Sequence, residues 1–178
     1  MARDALKALS RKRPTSRELI QNIVDAETDS DRAAALIAAS MLEDALADGL
    51  LCLMRQGMKK DELSAVFGAM GFLGTFTAKI NAGYAFQLFG GKTKLDLEII
   101  KDVRNAFAHG SVPVSFSEEC IKEACAQISV CGRIQDVPRQ PWPPTDARQI
   151  FIKSTHYLSL DLMEAGHRMS RGETSALH

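Results

Sequence analysis

The chain has 178 residues, 46% of them apolar and 25% charged, with 22 basic and 22 acidic side chains. That composition excludes general disorder, the length suits one domain, and the charge balance offers no global attraction for nucleic acid or membrane. The charge is unevenly placed, however: residues 1–17 hold Arg3, Lys7, Arg11, Lys12, Arg13 and Arg17 against Asp4 alone.

The opening MARDALKALSRKR lacks the uninterrupted apolar run of a signal peptide. The longest apolar stretch, Ala33 to Ala39, is far short of the roughly 20 residues a bilayer span needs. A cytoplasmic protein with no membrane partner is therefore expected. Residues 1–14 read as a basic arm. Thr15 or Ser16 then caps a first helix with an apolar stripe of Leu19, Ile20, Ile23 and Val24. Asp29 or Ser30 opens DRAAALIAASMLEDALADGLLCLMR, apolar on most of its circumference, with Ser40, Glu43, Asp44 and Asp48 on one narrow strip. Such a helix belongs at the centre of a bundle.

After Gly57 comes a short helix, KKDELSAVFGAM. Gly68, Gly71 and Gly74 make a turn, and Thr75 or Thr77 starts a helix through FTAKINAGYAFQLF that Gly90-Gly91 should stop. LDLEIIKDVRNAFA resumes helical spacing, with Leu95, Ile99, Val103 and either Ala106 or Phe107 on the predicted buried face. Gly110 and Pro113 forbid its continuation. Ser117 is the expected cap of a helix running to about Ser129. PRQPWPP, residues 138–144, carries four of the six prolines and the only Trp, and reads as an extended strap. Asp146 caps the last helix, and residues 170–178 form a polar tail. The predicted fold is all-α: a single-domain helical bundle over 15–169 with about six or seven helices and a proline-rich strap before the last.

Several motifs fail on inspection. GGKT at Gly90–Thr93 lacks the earlier glycine of a phosphate loop, since Phe86 stands there, and a helix rather than a strand precedes it. GAMGFLG likewise follows no strand. Three cysteines, Cys120, Cys125 and Cys131, follow C-x4-C-x5-C, the spacing of neither a zinc site nor a redox pair. With Cys52 they are expected to be buried thiols. No metal and no cofactor are expected.

One run stands apart. Arg104-Asn105-Ala106-Phe107-Ala108-His109 sets an Arg, an Asn and a His at one helix end. Asn105 and His109, four apart, share a face. Arg104 lies about 140° from His109 on an ideal helix, and fraying of the last turn would bring the two together. An Arg beside a His supplies a phosphate-gripping fork and a group able to exchange protons near neutral pH. The competing reading is structural: Asn105 and His109 bond to backbone, and Arg104 pairs inside the bundle with Glu43 or Asp44.

RNAFAH after LDLEIIKDV, with DRAAALIAASMLEDAL and GFLGTFTAKINAGYAFQL, resembles the mannitol operon repressor family over about residues 29–128. The R-x4-H run is also similar to the hallmark of the HEPN superfamily of helical domains. The first resemblance implies a non-enzymatic transcriptional regulator. The second implies an HEPN-like fold and a two-fold homodimer, and in its ribonuclease members a metal-independent cleavage of RNA for which Arg104 and His109 would be the catalytic pair.

No internal helix carries the basic and amide face of a recognition helix, so direct DNA binding should be weak or absent and action through a protein partner is expected. RNA is a possible substrate under the ribonuclease alternative. The third alternative is a helical interaction scaffold whose polar cluster, Glu43, Asp44, Arg104 and Asn105, is structural.

Overall fold

The computed structural model describes residues 30–110, 112–134 and 143–172. The basic arm, the first predicted helix with Leu19, Ile20, Ile23 and Val24, residues 138–142 of the proline strap and the last six residues of the tail lie outside the described residues. Within them the chain is all-helical. Seven helices follow one another: α1 (Asp31–Cys52), α2 (Lys60–Phe67), α3 (Phe76–Ala85), α4 (Gly91–His109), α5 (Glu119–Ala126), the single turn α6 (Val130–Arg133) and α7 (Ala147–Ser170). No described helix is long and apolar enough to cross a membrane.

Caps place the long helices. Ser30 Oγ accepts from Ala33 N, Thr75 Oγ1 from Ala78 N, and an Asp146 carboxylate oxygen from Gln149 N, each satisfying an orphan donor of the first turn. α1 is the hub: Ala35, Ala38, Ala39, Leu42, Leu46 and Leu50 are buried along it, and α7 packs along it more extensively than any other pair of helices meet. The small residues permit a close crossing. A Cβ on Gly166 would stand 2.7 Å from Gly49 Cα, so the two helices touch backbone to backbone at that point. Phe107 of α4, Phe116 and Phe151 of α7 extend the core as a chain of tilted rings, 4.8 and 5.4 Å between centroids. The buried hydroxyls of α7 are satisfied: Thr155 donates to Ile152 O and Ser159 to Thr155 O, while Ser154 meets Cys131 Sγ at 3.2 Å.

Four expectations need correction. The helix from Thr75 ends at Ala85, five residues before Gly90, because Gln87 takes φ +60° and Leu88 and Phe89 turn into the core. The Phe89 ring lies against Gly83, where a Cβ would be 2.5 Å away. Gly90 is instead the N-cap of α4, which begins at Gly91. The buried face of α4 is Thr93, Asp96, Leu97, Ile100, Val103 and Phe107, whereas Leu95 and Ala106 are exposed. Asp96 tolerates burial because it accepts from Ser129 N (2.7 Å), Ser129 Oγ (3.1 Å) and Arg133 Nη2 (2.8 Å). The helix expected from Ser117 starts at Glu119, with Glu118 at the cap, and stops at Ala126. Last, Cys120 is exposed: the core-facing positions of α5 are Ile121 and Cys125, and Cys120 falls outside that stripe.

Candidate functional site

Three helices converge on one carboxylate. Glu43 projects from the middle of α1, Lys79 from α3 and Arg104 from α4. Glu43 Oε1 accepts Lys79 Nζ at 2.6 Å and Oε2 accepts Arg104 Nη2 at 3.0 Å, so both oxygens are occupied. The side chains are 9% (Lys79), 20% (Glu43) and 26% (Arg104) exposed. The Arg104 guanidinium also lies over the Phe76 ring, 5.9 Å from its centroid. Asp44, next along α1, is exposed, and Asn105 is half-buried on α4.

Lys79 is the member that sequence reasoning missed. A signal for it exists: Phe76, Lys79, Ile80 and Gly83 have the i, i+3, i+4, i+7 spacing of a buried helical face, and all four are buried. A lysine on such a stripe requires an acid opposite it.

His109 is the last residue of α4 and is exposed. The helix does not fray before it, since Gly110 N donates to Ala106 O at 3.1 Å. It lies five positions along the helix from Arg104, so the two side chains leave α4 about 140° apart. The expected closure of Arg104 onto His109 by a frayed turn is therefore overturned within one chain. Beyond His109, Arg32 Nη2 donates to Gly110 O at 2.7 Å, which sets a cation at the negative end of α4. Asp31 accepts Phe116 N (2.9 Å) and Arg148 Nη1 (3.2 Å), joining the start of α1 to the loop after α4 and to α7. An open cleft of about 460 Å³ lies here, lined by Ser30, Asp31, Arg32, Gly110, Val112, Pro113 and Val114. Neither Arg104 nor His109 contributes to its lining.

The cysteines form no disulfide. Burial pushes the Cys125 thiol up to about 12, with Asp146 adding to the effect. It raises Cys131 too, against a lowering hydrogen bond from Ser154. Both thiols are thus poor nucleophiles. Cys52 is half-buried, with Sγ 3.8 Å from His167 Nδ1. Among the described residues, no group of three or more His, Cys, Asp or Glu side chains is placed to hold a metal ion. GGKT forms no phosphate loop: Thr93 is fully buried and accepts Arg133 Nη1 at 3.3 Å.

No protein-family model matches the chain, and no curated protein and no solved structure matches it either.

Proposed function

We propose that this protein is a non-enzymatic regulator of the mannitol-operon-repressor type, acting through a protein partner and not by reading an operator itself. The observation that carries the reading is the double use of Glu43. Its two oxygens hold Lys79 and Arg104, so in either protomer of a dimer the Arg104 guanidinium is already engaged in joining α1, α3 and α4. An acid–base site for RNA needs a cation at the phosphate together with the proton-transferring group. DNA reading lacks support as well: Lys59 and Lys60 are exposed at the start of α2, but Asp61 and Glu62 follow at once. A two-fold dimer formed around the end of α4 is part of the proposal.

The test uses mobility shifts of genomic fragments at about 0.15 M salt, with the full chain and with a chain lacking residues 1–17. Neither retards DNA in a sequence-specific way, and structured RNA incubated with wild type or His109→Ala stays intact. Sequence-specific retardation by the full chain, or RNA cleavage that His109→Ala abolishes, overturns the reading. Light scattering at micromolar concentration gives the mass of two chains.

A further inference from the structure

Helices α1 and α7 run in the same direction, so their first turns meet and their last turns meet. Asp31 pairs with Arg148 at the start (3.2 Å), Gly49 touches Gly166 near the far end, and Cys52 meets His167 just beyond. Cys52 is the last residue of α1, and His167 lies in the last turn of α7. The backbone contact at the glycines comes three residues before Cys52 and one before His167. It therefore fixes how far apart the two side chains stand.

Cys52 Sγ is 3.8 Å from His167 Nδ1, whereas Cys131 Sγ and Ser154 Oγ close to 3.2 Å. The wider gap matches the two bonds of one metal ion. With zinc-like bonds of about 2.3 Å to sulfur and about 2.0 Å to nitrogen, a 3.8 Å span sets an angle of roughly 120° at the ion. That is the angle of a three-coordinate centre, so neither side chain has to move. Access is also in place: Cys52 is half-buried and His167 exposed, while Cys125 and Cys131 are buried.

Two protein donors are too few for zinc, whose sites take three or four, and among the described residues no third His, Cys, Asp or Glu joins them. A thiolate and an imidazole with one position open suit copper(I), the ion that soft sulfur ligands select. Met54 and Met169, both partly buried, stand two residues beyond Cys52 and His167, which brings thioether sulfur to the same end of the bundle. The negative pole of α1 lies at Cys52 and favours a cation there. Arg168, next to His167, is paired with Glu164. A thiol nucleophile is the competing use of the pair. The cleft at Ser30, Asp31 and Arg32 lies at the other end of α1, roughly 30 Å away at the helical rise, and offers Cys52 no substrate.

We propose that Cys52 and His167 form a copper(I) site that bridges the ends of α1 and α7. On binding, the Cys52 S–H bond breaks and its proton leaves to solvent. Lone pairs on Sγ and Nδ1 go to the ion, His167 keeps its proton on Nε2, and copper stays in the +1 state. The site goes beyond the regulator reading and stands independently of it.

The full chain carrying Cys120→Ser, which removes the exposed thiol, is titrated anaerobically with copper(I) against the chelator bathocuproine disulfonate. One ion binds per chain, X-ray absorption shows sulfur and an imidazole nitrogen on the metal, and melting shifts upward as copper(I) is added. In the same background, Cys52→Ser and His167→Ala each weaken the affinity about 100-fold or more, beyond the usual cost of losing an outer-shell partner. His167→Ala melts as its parent does without metal, because the ring is exposed, so its loss of copper is not a loss of fold. Binding that survives His167→Ala marks a lone thiol and overturns the site. Binding that survives Cys52→Ser, zinc(II) held as tightly as copper(I), or a chain that takes up no copper overturns it too.

Discussion

Glu43→Ala removes the one carboxylate that two cations share. The consequence is largest at Lys79, whose side chain is 9% exposed and whose ammonium loses a 2.6 Å partner. Taking one partner from a buried ion pair costs about 3–5 kcal/mol, because the other charge stays desolvated. Glu43 at 20% and Arg104 at 26% exposure keep some contact with water, so the lower end applies, about 3 kcal/mol. For a chain of this size that lowers the melting temperature by roughly 6–12 °C. In urea the midpoint falls by about 1.5 M at unchanged slope, taking a slope of about 2 kcal/mol/M. Lys79→Met combined with Glu43→Leu and Arg104→Met should recover most of the loss, since an apolar replacement leaves no charge stranded. Both thermal and urea transitions of the full chain report these effects. A Glu43→Ala protein within about 0.5 kcal/mol of wild type would refute the structural role assigned to the cluster.

Three further outcomes follow from the packing and the titrating groups. Gly166→Ala drives a Cβ to 2.7 Å from Gly49 Cα and forces α1 and α7 apart; the expected loss is about 1–3 kcal/mol in the same urea transition. Burial first, then Glu164, raises the Asp161 pKa above its ordinary value, against the lowering effect of Arg133 and Arg168. The charged carboxylate is therefore disfavoured in the fold, so Asp161→Asn gains stability at neutral pH. That gain shrinks as pH falls through the raised value and vanishes below the unfolded value of 3.8, which melts from pH 7 to 3 will show. Under a disulfide reagent at pH 8, Cys120 reacts first and Cys52 more slowly, while Cys125 and Cys131 react only after unfolding.

The start of α7 at Asp146 was legible in the residues, and those of α1 and α3 were narrowed to Asp29 or Ser30 and to Thr75 or Thr77, because an N-cap is chemistry within three or four positions of itself. So was the central place of α1, whose apolar residues surround most of its circumference, and so was the all-helical class. What the local pattern misjudged depended on residues far along the chain. The buried face of α4 includes Asp96 only because Arg133, 37 positions later, supplies its counter-charge. The early end of α3 answers to Phe89 folding back on Gly83.

The site divides the same way. The sequence by itself marked Arg104 and His109 as a pair worth attention and supplied Glu43 and Asp44 as candidate acids, but a spacing along one helix cannot say which acid lies across the bundle. Tertiary packing decided that: α1 and α3 meet α4 so that Glu43 faces both Arg104 and Lys79, while α4 stays helical through His109 and turns it away. Local pattern sets which elements form and which face is apolar. Which charges meet is set by how helices distant in sequence cross, because a partly buried charge is tolerated only where another element brings its partner.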